Sequence, residues 1–556
     1  MRLSLPAPVA PLVIAASMTL AYNQPLWRAI WDLHPDSSGV LLIGNVALVL
    51  TAMLTIVLQV CNSRWLLKPI TIALLLAAAL ASFAIGAQGV LIDQDMARNI
   101  LATDAREIRA YVSGAFALHL LLCWLLPAAL LLAVQISRTG TAAEFRRAVA
   151  VAIGVLVVAL AGVALNAKSV LLVAREHREL RYYMVPTYPL YAFALHAAER
   201  AQTKSGPTRR IATDATRSLA DTRRPLVMVL VVGETARSMS FALNGYARPT
   251  NPLLAQQHVV SFTQVSSCGT STAISVPCMF SQHGRGDFNV DAAANEENLL
   301  DVLQRVNVAV SWIDNNSGCK GVCDRVPTLN VDNASGGADS TAPADAPCPA
   351  TGCYDSSLVH ALRNTLQNST APRDRLIVLH SRGSHGPDYA NRVPPQFKRF
   401  LPECGERDVA SCSRQQIVNA YDNTIVYTDH ILATMITDLQ VHAQRFDVLL
   451  LYVSDHGESL GEHGVYLHGF PYRIAPKEQT QVPLIVWANE GFYARRGLSF
   501  TCLQGARDKP LTHDTLFHTV LSVFDVQTTS IDAAFDLFAP CRSEPDADQN
   551  PPGDQV

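Results

Sequence analysis

The amino-acid sequence predicts a two-part α/β protein: five membrane-spanning helices, then a doubly wound α/β domain held outside the cytoplasm. Three observations carry that expectation. Apolar residues crowd into five long runs before about residue 175. From Pro225 onward, short continuous apolar runs of strand length alternate with stretches of helical periodicity. Ten of the twelve cysteines lie after residue 260, several of them closely spaced.

The apolar runs are 7–22, 38–60, 70–92, 111–135 and 148–173. A helix needs about 20 apolar residues to cross a bilayer core, so four runs qualify comfortably and the first is marginal. With Arg2 in front and small residues behind, the first run has the shape of a signal peptide. Because further spans follow at once, an uncleaved first span is preferred. Arg2, then Arg64 and Lys68, then Arg138, Arg146 and Arg147 fall on one side of such a bundle, which positive charge assigns to the cytoplasm. The opposite loops carry Asp32, Asp36, Asp93, Asp95, Asp104 and Glu107, diluted by Arg98, Arg106 and Arg109. An odd number of spans then leaves everything after residue 175 outside. The divisions expected are a transmembrane domain over 1–175, a membrane-surface connector over 176–224, a catalytic domain over 225–542 and a disordered tail over 543–556.

The chain has 556 residues, more than one ordinary domain, and a net charge of −3 that excludes the electrostatics of a nucleic-acid binder. Its 49% hydrophobic content is high for a soluble protein. Cys61 and Cys123 fall in expected spans and act there as small apolar residues. The close pairs Cys268/Cys278, Cys319/Cys323, Cys348/Cys353 and Cys404/Cys412 have three to nine residues between them, which does not suit zinc fingers. Local disulfides in an oxidising compartment fit better.

In the connector, Ala174 to Tyr183 is rich in Arg and Glu and is followed by Tyr188 and Tyr191, the pattern of a helix lying at headgroup level or of a solvated linker helix. Lys204 to Arg224 is polar loop. The strands are expected at Leu226–Val232, Val308–Ile313, Leu376–Leu379, Val448–Val453 and Leu484–Trp487, continuous apolar runs of the kind buried on both faces in a parallel sheet. Helical periodicity covers Glu297–Arg305 and Gln415–Leu439. Pro327–Pro347 reads as a flexible loop, and the acidic, Pro-rich tail from Ser543 as disordered.

Ligands of open α/β sheets bind beyond the carboxyl ends of the strands. The first strand ends in Gly233-Glu234-Thr235, the fourth runs into Ser454-Asp455-His456-Gly457-Glu458, and the third ends near His380, just before His385. An Asp-His pair with a distant Glu offers mixed oxygen and nitrogen ligands suited to zinc or manganese. An isolated Asp-His stretch could equally cap a helix; Glu234 at an equivalent strand end weakens that alternative. His463 and His468 lie close enough in sequence for a second metal or a phosphate site, or are surface histidines. Ser267-Cys268-Gly269-Thr270-Ser271-Thr272 is a hydroxyl-rich turn, and a hydroxyl becomes a nucleophile only beside a base or metal. Thr270, Ser271 and Thr272 are all candidates, helix capping is the common alternative, and Pro277 would kink any helix begun there.

At this point a resemblance enters. Gly233-Glu234-Thr235-Ala236-Arg237, the stretch Ser267 to Ala273, Ser275-Val276-Pro277-Cys278-Met279-Phe280-Ser281, Tyr452 to Glu462 and Gly464-Val465-Tyr466-Leu467-His468-Gly469 are similar to motifs of the lipid A phosphoethanolamine transferases, which include the mobile colistin-resistance enzymes. The similarity covers the whole chain. It implies an alkaline-phosphatase/sulfatase-like α/β domain in the periplasm, anchored in the bacterial inner membrane by the five-helix domain. By the same resemblance Thr272 accepts the phosphoethanolamine group, and Glu234, Asp455, His456 and Thr272 hold zinc. His385, His468, Glu458, Asn316 and Lys320 match residues that meet substrate or a further zinc. Cys268–Cys278, Cys348–Cys353 and Cys404–Cys412 follow the family's disulfides, and Cys319–Cys323 follows some members; Cys502–Cys541 follows from parity alone. Position 463 is His where some relatives have Asn, and no role is assigned to it.

The reaction so implied has two halves. Thr272 displaces diacylglycerol from phosphatidylethanolamine, and a lipid A phosphate then takes the group from phosphothreonine. Transfer adds an amine to lipid A and weakens its attraction for cationic peptides such as polymyxin. The expected partners are these lipids and the bilayer, with no nucleic acid and a monomeric chain. The alternatives are transfer to a lipopolysaccharide core sugar, a phosphoglycerol transferase or sulfatase-like hydrolase, and a non-catalytic membrane sensor. The last would be favoured by a missing metal ligand, and none is missing.

Overall fold

A computed structural model describes residues 4–103, 108–109, 111–203, 207–217, 224–331, 348–349, 352–368, 373–405 and 409–542. Most of the loop expected at Pro327–Pro347, much of Lys204–Arg224, the tail from Ser543 and the loop charges Asp104, Arg106 and Glu107 lie outside the described residues. The chain divides into a helical unit, built mainly from residues up to Ala198, and a larger unit built mainly from Glu199 onward.

In the helical unit, α1 spans Ala10–Tyr22, α2 Gln24–Leu33, α3 Ser37–Val60, α4 Leu67–Gln88, α5 Gln94–Ala102, α6 Gly114–Ala133, α7 Ala142–Leu165 and α8 Ala167–Glu176. Four of these, α3, α4, α6 and α7, are long and apolar enough to cross a membrane. The first expected span is shorter: α1 has 13 residues, with Pro11 in its first turn, and reaches about 20 Å against a hydrocarbon core of about 30 Å. Its end is set by Asn23, whose Nδ2 donates to the carbonyls of Thr19 at 3.0 Å and Val185 at 2.9 Å while Oδ1 accepts from Val185 N at 2.8 Å. Asp36 starts α3 by accepting from Ser38 N and Gly39 N at 2.9 and 3.2 Å, the usual device for capping a helix N-terminus. Where a single surface helix was expected over Ala174–Tyr183, α8 stops at Glu176 and a 3₁₀ turn, Arg178–Tyr183, leads to α9 at Thr187–Thr203.

The larger unit is organised by an eight-stranded sheet: β1 Leu226–Gly233, β2 Val260–Ser266, β3 Ala309–Asp314, β4 Thr328–Asn330, β5 Arg375–His380, β6 Asp447–Ser454, β7 Gln481–Ala488 and β8 Leu511–Thr512. Their order across the sheet is β8-β2-β7-β6-β1-β5-β3-β4. The run from β6 to β4 is parallel, as continuous apolar strands such as Leu226–Val232 predict. β7, the expected Leu484–Trp487 strand, runs antiparallel to both β6 and β2. β2 escapes the apolar pattern because Ser261, Thr263 and Gln264 interrupt it, and β4 and β8 are only three and two residues long. Every residue of β1 and β6 is buried, and each Val or Leu so enclosed contributes roughly 1.5–3 kcal/mol relative to exposure.

Helices cover the sheet. α10 spans Thr272–Met279, α11 Leu299–Arg305, α12 Ser356–Gln367, α13 Arg414–Val441 and α14 Thr515–Val523. α11 and α13 each begin with a capping box, Asn298/Asp301 and Ser413/Gln416, which explains why the expected helices at 297–305 and 415–439 start where they do. Five disulfides join the ten cysteines of this unit: Cys268–Cys278, Cys319–Cys323, Cys348–Cys353, Cys404–Cys412 and Cys502–Cys541. Cys61 and Cys123 are free thiols.

Candidate active site

β1 and β6 are parallel neighbours with Gly233 opposite Ser454, so Glu234 and Asp455 leave the sheet side by side, followed by His456. All three are fully buried. The chain leaves β1 through Thr235, a β-branched residue at φ +57°, a conformation that costs of order 1–3 kcal/mol. It is held there by four hydrogen bonds. Thr235 N donates to Asp455 Oδ1 at 3.0 Å, Thr235 Oγ1 to Glu234 Oε1 at 2.5 Å, Tyr421 OH to Thr235 O at 2.8 Å and Ala236 N to Ser454 Oγ at 2.8 Å.

The hydroxyl-rich turn reaches the same strand ends. Ser275 Oγ donates to Asp455 O at 2.6 Å, Gly269 N donates to Ser275 Oγ at 2.9 Å, and Cys268 N donates to His513 Nδ1 at 3.1 Å. Ser271 is extended, so Thr272 is the first helical residue of α10. Thr272 Oγ1 lies 3.1 and 3.3 Å from the two oxygens of Glu234 and 3.4 Å from His456 Nε2. Thr270 points elsewhere, its hydroxyl donating to Phe470 O at 2.7 Å. Pro277 is accommodated because α10 is only eight residues long and ends two residues later. The first-turn N–H groups of a helix have no intrahelical partner and face whatever lies before it, which suits phosphoryl oxygens in front of Thr272.

The donor set fits a divalent cation. Glu234, Asp455 and His456 each offer a ligand atom, all within 4.8 Å of one another. His456 Nδ1 meets Gly457 O at 3.0 Å and so carries the proton. The lone pair of Nε2 therefore faces Glu234 Oε1 at 3.4 Å and Asp455 Oδ2 at 3.3 Å, three acceptors turned on one point. Asp455 Oδ2 is buried and has no hydrogen-bond partner among the described residues. Burial pushes both carboxyls upward; His456 and His385 outweigh this for Glu234 and keep it low, whereas the charge of Glu234 raises Asp455 further. A cation between them removes that conflict.

Around this point the structure gathers most of the remaining candidates. Asn316 Nδ2 donates to Glu234 Oε2 at 2.7 Å and lies 3.2 Å from His380 Nε2, and His380 Nδ1 lies 2.8 Å from Asp314 Oδ1. Glu458 accepts from Tyr389 OH at 2.5 Å and from His468 Nδ1 at 2.8 Å; burial pushes its carboxyl up to about 8 and drives His468 down to about 3, so that His468 is neutral. The His468 ring stands 4.5 Å from that of His456 and 4.9 Å from that of His385. Lys320 sits apart from this group: its ammonium donates to Ser317 O and Oγ, within its own loop. His463 is exposed at φ +52°. Sequence patterns did not single out Asp314, Tyr389 or Tyr421 as parts of the site. Thr235 and His380, each at the end of a strand, were named only as polar residues of interest.

Comparison with known proteins gives the family. The Sulfatase family model matches residues 227–526, and the model for Phosphoethanolamine transferase EptA/EptB matches residues 50–201. Phosphoethanolamine transferase EptA of Escherichia coli strain K12 is 37% identical over 541 residues, 96% of each chain. Phosphatidylethanolamine transferase Mcr-1 of Escherichia coli is 36% identical over 535 residues, 94% of this chain and 96% of that one. The structure of the integral membrane lipooligosaccharide phosphoethanolamine transferase A from Neisseria meningitidis aligns with a TM-score of 0.91 at 30% identity, covering 98% of this chain and 100% of that one. With a sulfatase-like sheet, apolar N-terminal helices and full-length likeness to these enzymes, the chain belongs to the phosphoethanolamine transferases of the bacterial inner membrane, with its catalytic domain in the periplasm.

Proposed function

We propose that the protein transfers phosphoethanolamine from phosphatidylethanolamine to a phosphate of lipid A through Thr272, with zinc as the cation. The observation that carries this is Thr272 Oγ1 at the start of α10, within 3.1–3.4 Å of Glu234 and His456. Glu234, Asp455, His456 and Thr272 would hold the metal. Bound there, zinc supplies a Lewis acid that favours loss of the hydroxyl proton and polarises the phosphoryl oxygen.

The chain's own residues account for the rest. The Thr272 hydroxyl gives its proton toward the Glu234 carboxylate, and Oγ1 forms a bond to phosphorus as the bond to the diacylglycerol oxygen breaks. That oxygen takes up the proton held by Glu234 and leaves as diacylglycerol. In the second half an oxygen of a monoprotonated lipid A phosphate bonds to the same phosphorus, and Oγ1 of Thr272 departs with the proton that phosphate gives up. The N-terminus of α10 stabilises charge on the transferring group, which is where most rate enhancement in phosphoryl transfer arises. Asn316, oriented by the His380–Asp314 pair, fixes the Glu234 carboxylate. Glu458 holds Nδ1 of His468 and leaves Nε2, with His385, for substrate. Lys320 would meet the head group only by leaving Ser317.

Lipid A is favoured over a core sugar because likeness to the EptA proteins spans 96% of the chain, whereas Kdo(2)-lipid A phosphoethanolamine 7''-transferase of Escherichia coli strain K12 is 28% identical over 61% of it. The test is expression in a polymyxin-sensitive Gram-negative host with mass spectrometry of lipid A. Added phosphoethanolamine and raised polymyxin tolerance are expected. Unmodified lipid A beside a modified core would move the acceptor to the sugar.

A further inference from the structure

The helical unit contains a cavity of about 480 Å³ that none of the proposed catalytic residues lines. Its walls are mostly apolar, and Leu26, Leu50 and Val173 in them belong to one buried cluster. Its volume falls within the roughly 300–1,000 Å³ usual for sites that enclose small organic ligands.

Two polar features break the apolar lining. Asn45 lies eight residues after Ser37 on α3, about 12 Å along the helix, and is 5% exposed. Its Nδ2 has no hydrogen-bond partner among the described residues. Its Oδ1 is packed against α7, where a Cβ on Gly162 would come within 2.6 Å of it, and the residue is part of the cavity wall. A bare amide donor among hydrocarbon is costly. Asn23 in the same unit, by contrast, has all its polar atoms bonded. The second feature is a cationic end: Arg178 and Arg181, both exposed, line the same cavity from the 3₁₀ turn. Glu179, the acid between them, is engaged with His177 at 3.0 Å.

We propose that this cavity binds an anionic diacyl glycerophospholipid of the phosphatidylglycerol class. Its phosphate meets Arg178 and Arg181, and an acyl chain fills the apolar groove beside Asn45. An anionic head group complements two guanidiniums, whereas a zwitterionic one brings its own ammonium toward them. The lipid is thus of a different class from the proposed donor, and the site stands whether or not the zinc reading of the catalytic residues does.

The test uses full-length protein reconstituted into nanodiscs of equal phosphatidylglycerol and phosphatidylethanolamine, then re-extracted into mild detergent for lipid mass spectrometry. At least one phosphatidylglycerol per chain is expected, enriched about thirtyfold over phosphatidylethanolamine, a preference of the size that two charge contacts supply. Arg178→Gln with Arg181→Gln, on an exposed turn, should abolish the head-group preference. Val49→Phe, which fills the groove, should lower retention of either lipid, and both variants should keep their helical circular dichroism and transfer activity. Wild-type protein that retains both lipids equally, or variants that retain phosphatidylglycerol as wild type does, would overturn the proposal. So would inorganic phosphate that, at a concentration equal to the lipid's, strips the retained phosphatidylglycerol from the protein, since the acyl contacts would then contribute nothing.

Discussion

Gly383 offers a test of how Glu234 is held. It follows β5, sits at φ +46°, and a Cβ added to it would lie 2.5 Å from Glu234 O and 3.0 Å from Glu234 N. Neither side yields easily. Ser384 N donates to that same Glu234 carbonyl at 2.9 Å, while the N–H groups of Arg382 and Gly383 are fastened to Asp355 at 2.9 and 3.0 Å. To restore an ordinary 3.4 Å contact, Gly383→Ala must drive the two segments apart by about 0.9 Å. The left-handed backbone adds about 1–2 kcal/mol of strain for alanine. Misplacing a reacting group by about 1 Å costs on the order of 100-fold in rate. We therefore expect kcat/KM for transfer to fall about 30–100-fold, or about 2–3 kcal/mol in barrier. Zinc content, read by elemental mass spectrometry, should fall with it. Gly286→Ala is the control, because a Cβ there meets nothing within 4 Å. A G383A enzyme within threefold of wild type and fully zinc-loaded would refute the idea that this contact positions Glu234.

Other expectations follow from the same geometry. Thr272→Ala should abolish transfer by at least about 10³-fold while Thr270→Ala, whose hydroxyl serves Phe470 O, stays within about tenfold; equal losses would sink the nucleophile assignment. Chelation should lower both activity and melting temperature, and added zinc should restore them; an unchanged melting temperature after proven metal removal would contradict a cation bridging Glu234 and Asp455. Cys268→Ser with Cys278→Ser frees the loop around α10 and should cost about 3 kcal/mol by loop-closure entropy, with activity falling more than bulk helicity. Asp429 accepts from Leu253 N and Leu254 N, both at 2.9 Å, and burial pushes its carboxyl up to about 6. A folded pKa above the unfolded value gives stability present below about pH 4 and lost as pH rises through about 6, up to about 3 kcal/mol. The melting temperature of wild type minus that of Asp429→Asn should rise from pH 7 to pH 4, and a constant difference would refute it.

Much of the architecture is legible in local pattern. Apolar runs of span length mark α3, α4, α6 and α7, and continuous apolar runs mark β1, β3, β5, β6 and β7. β2 was not legible because Ser261, Thr263 and Gln264 break its apolar run, and the first span, already marginal over 7–22, is shorter still because α1 begins only at Ala10. The direction of β7 was equally hidden, since strand orientation depends on partners far away in the chain.

The same division holds at the proposed metal-binding residues. The sequence alone determined that Glu234, Asp455 and His456 follow buried strands, because strand burial is written in consecutive residues and polar groups collect where it ends. Only the tertiary structure decided that Gly233 stands opposite Ser454, that Thr272 and not Thr270 turns toward Glu234, and that Asp314 and His380 support Asn316 behind it. Those relations join residues tens to hundreds of positions apart. They depend on register, on the strained turn at Thr235 and on packing, none of which leaves a periodic trace in the chain.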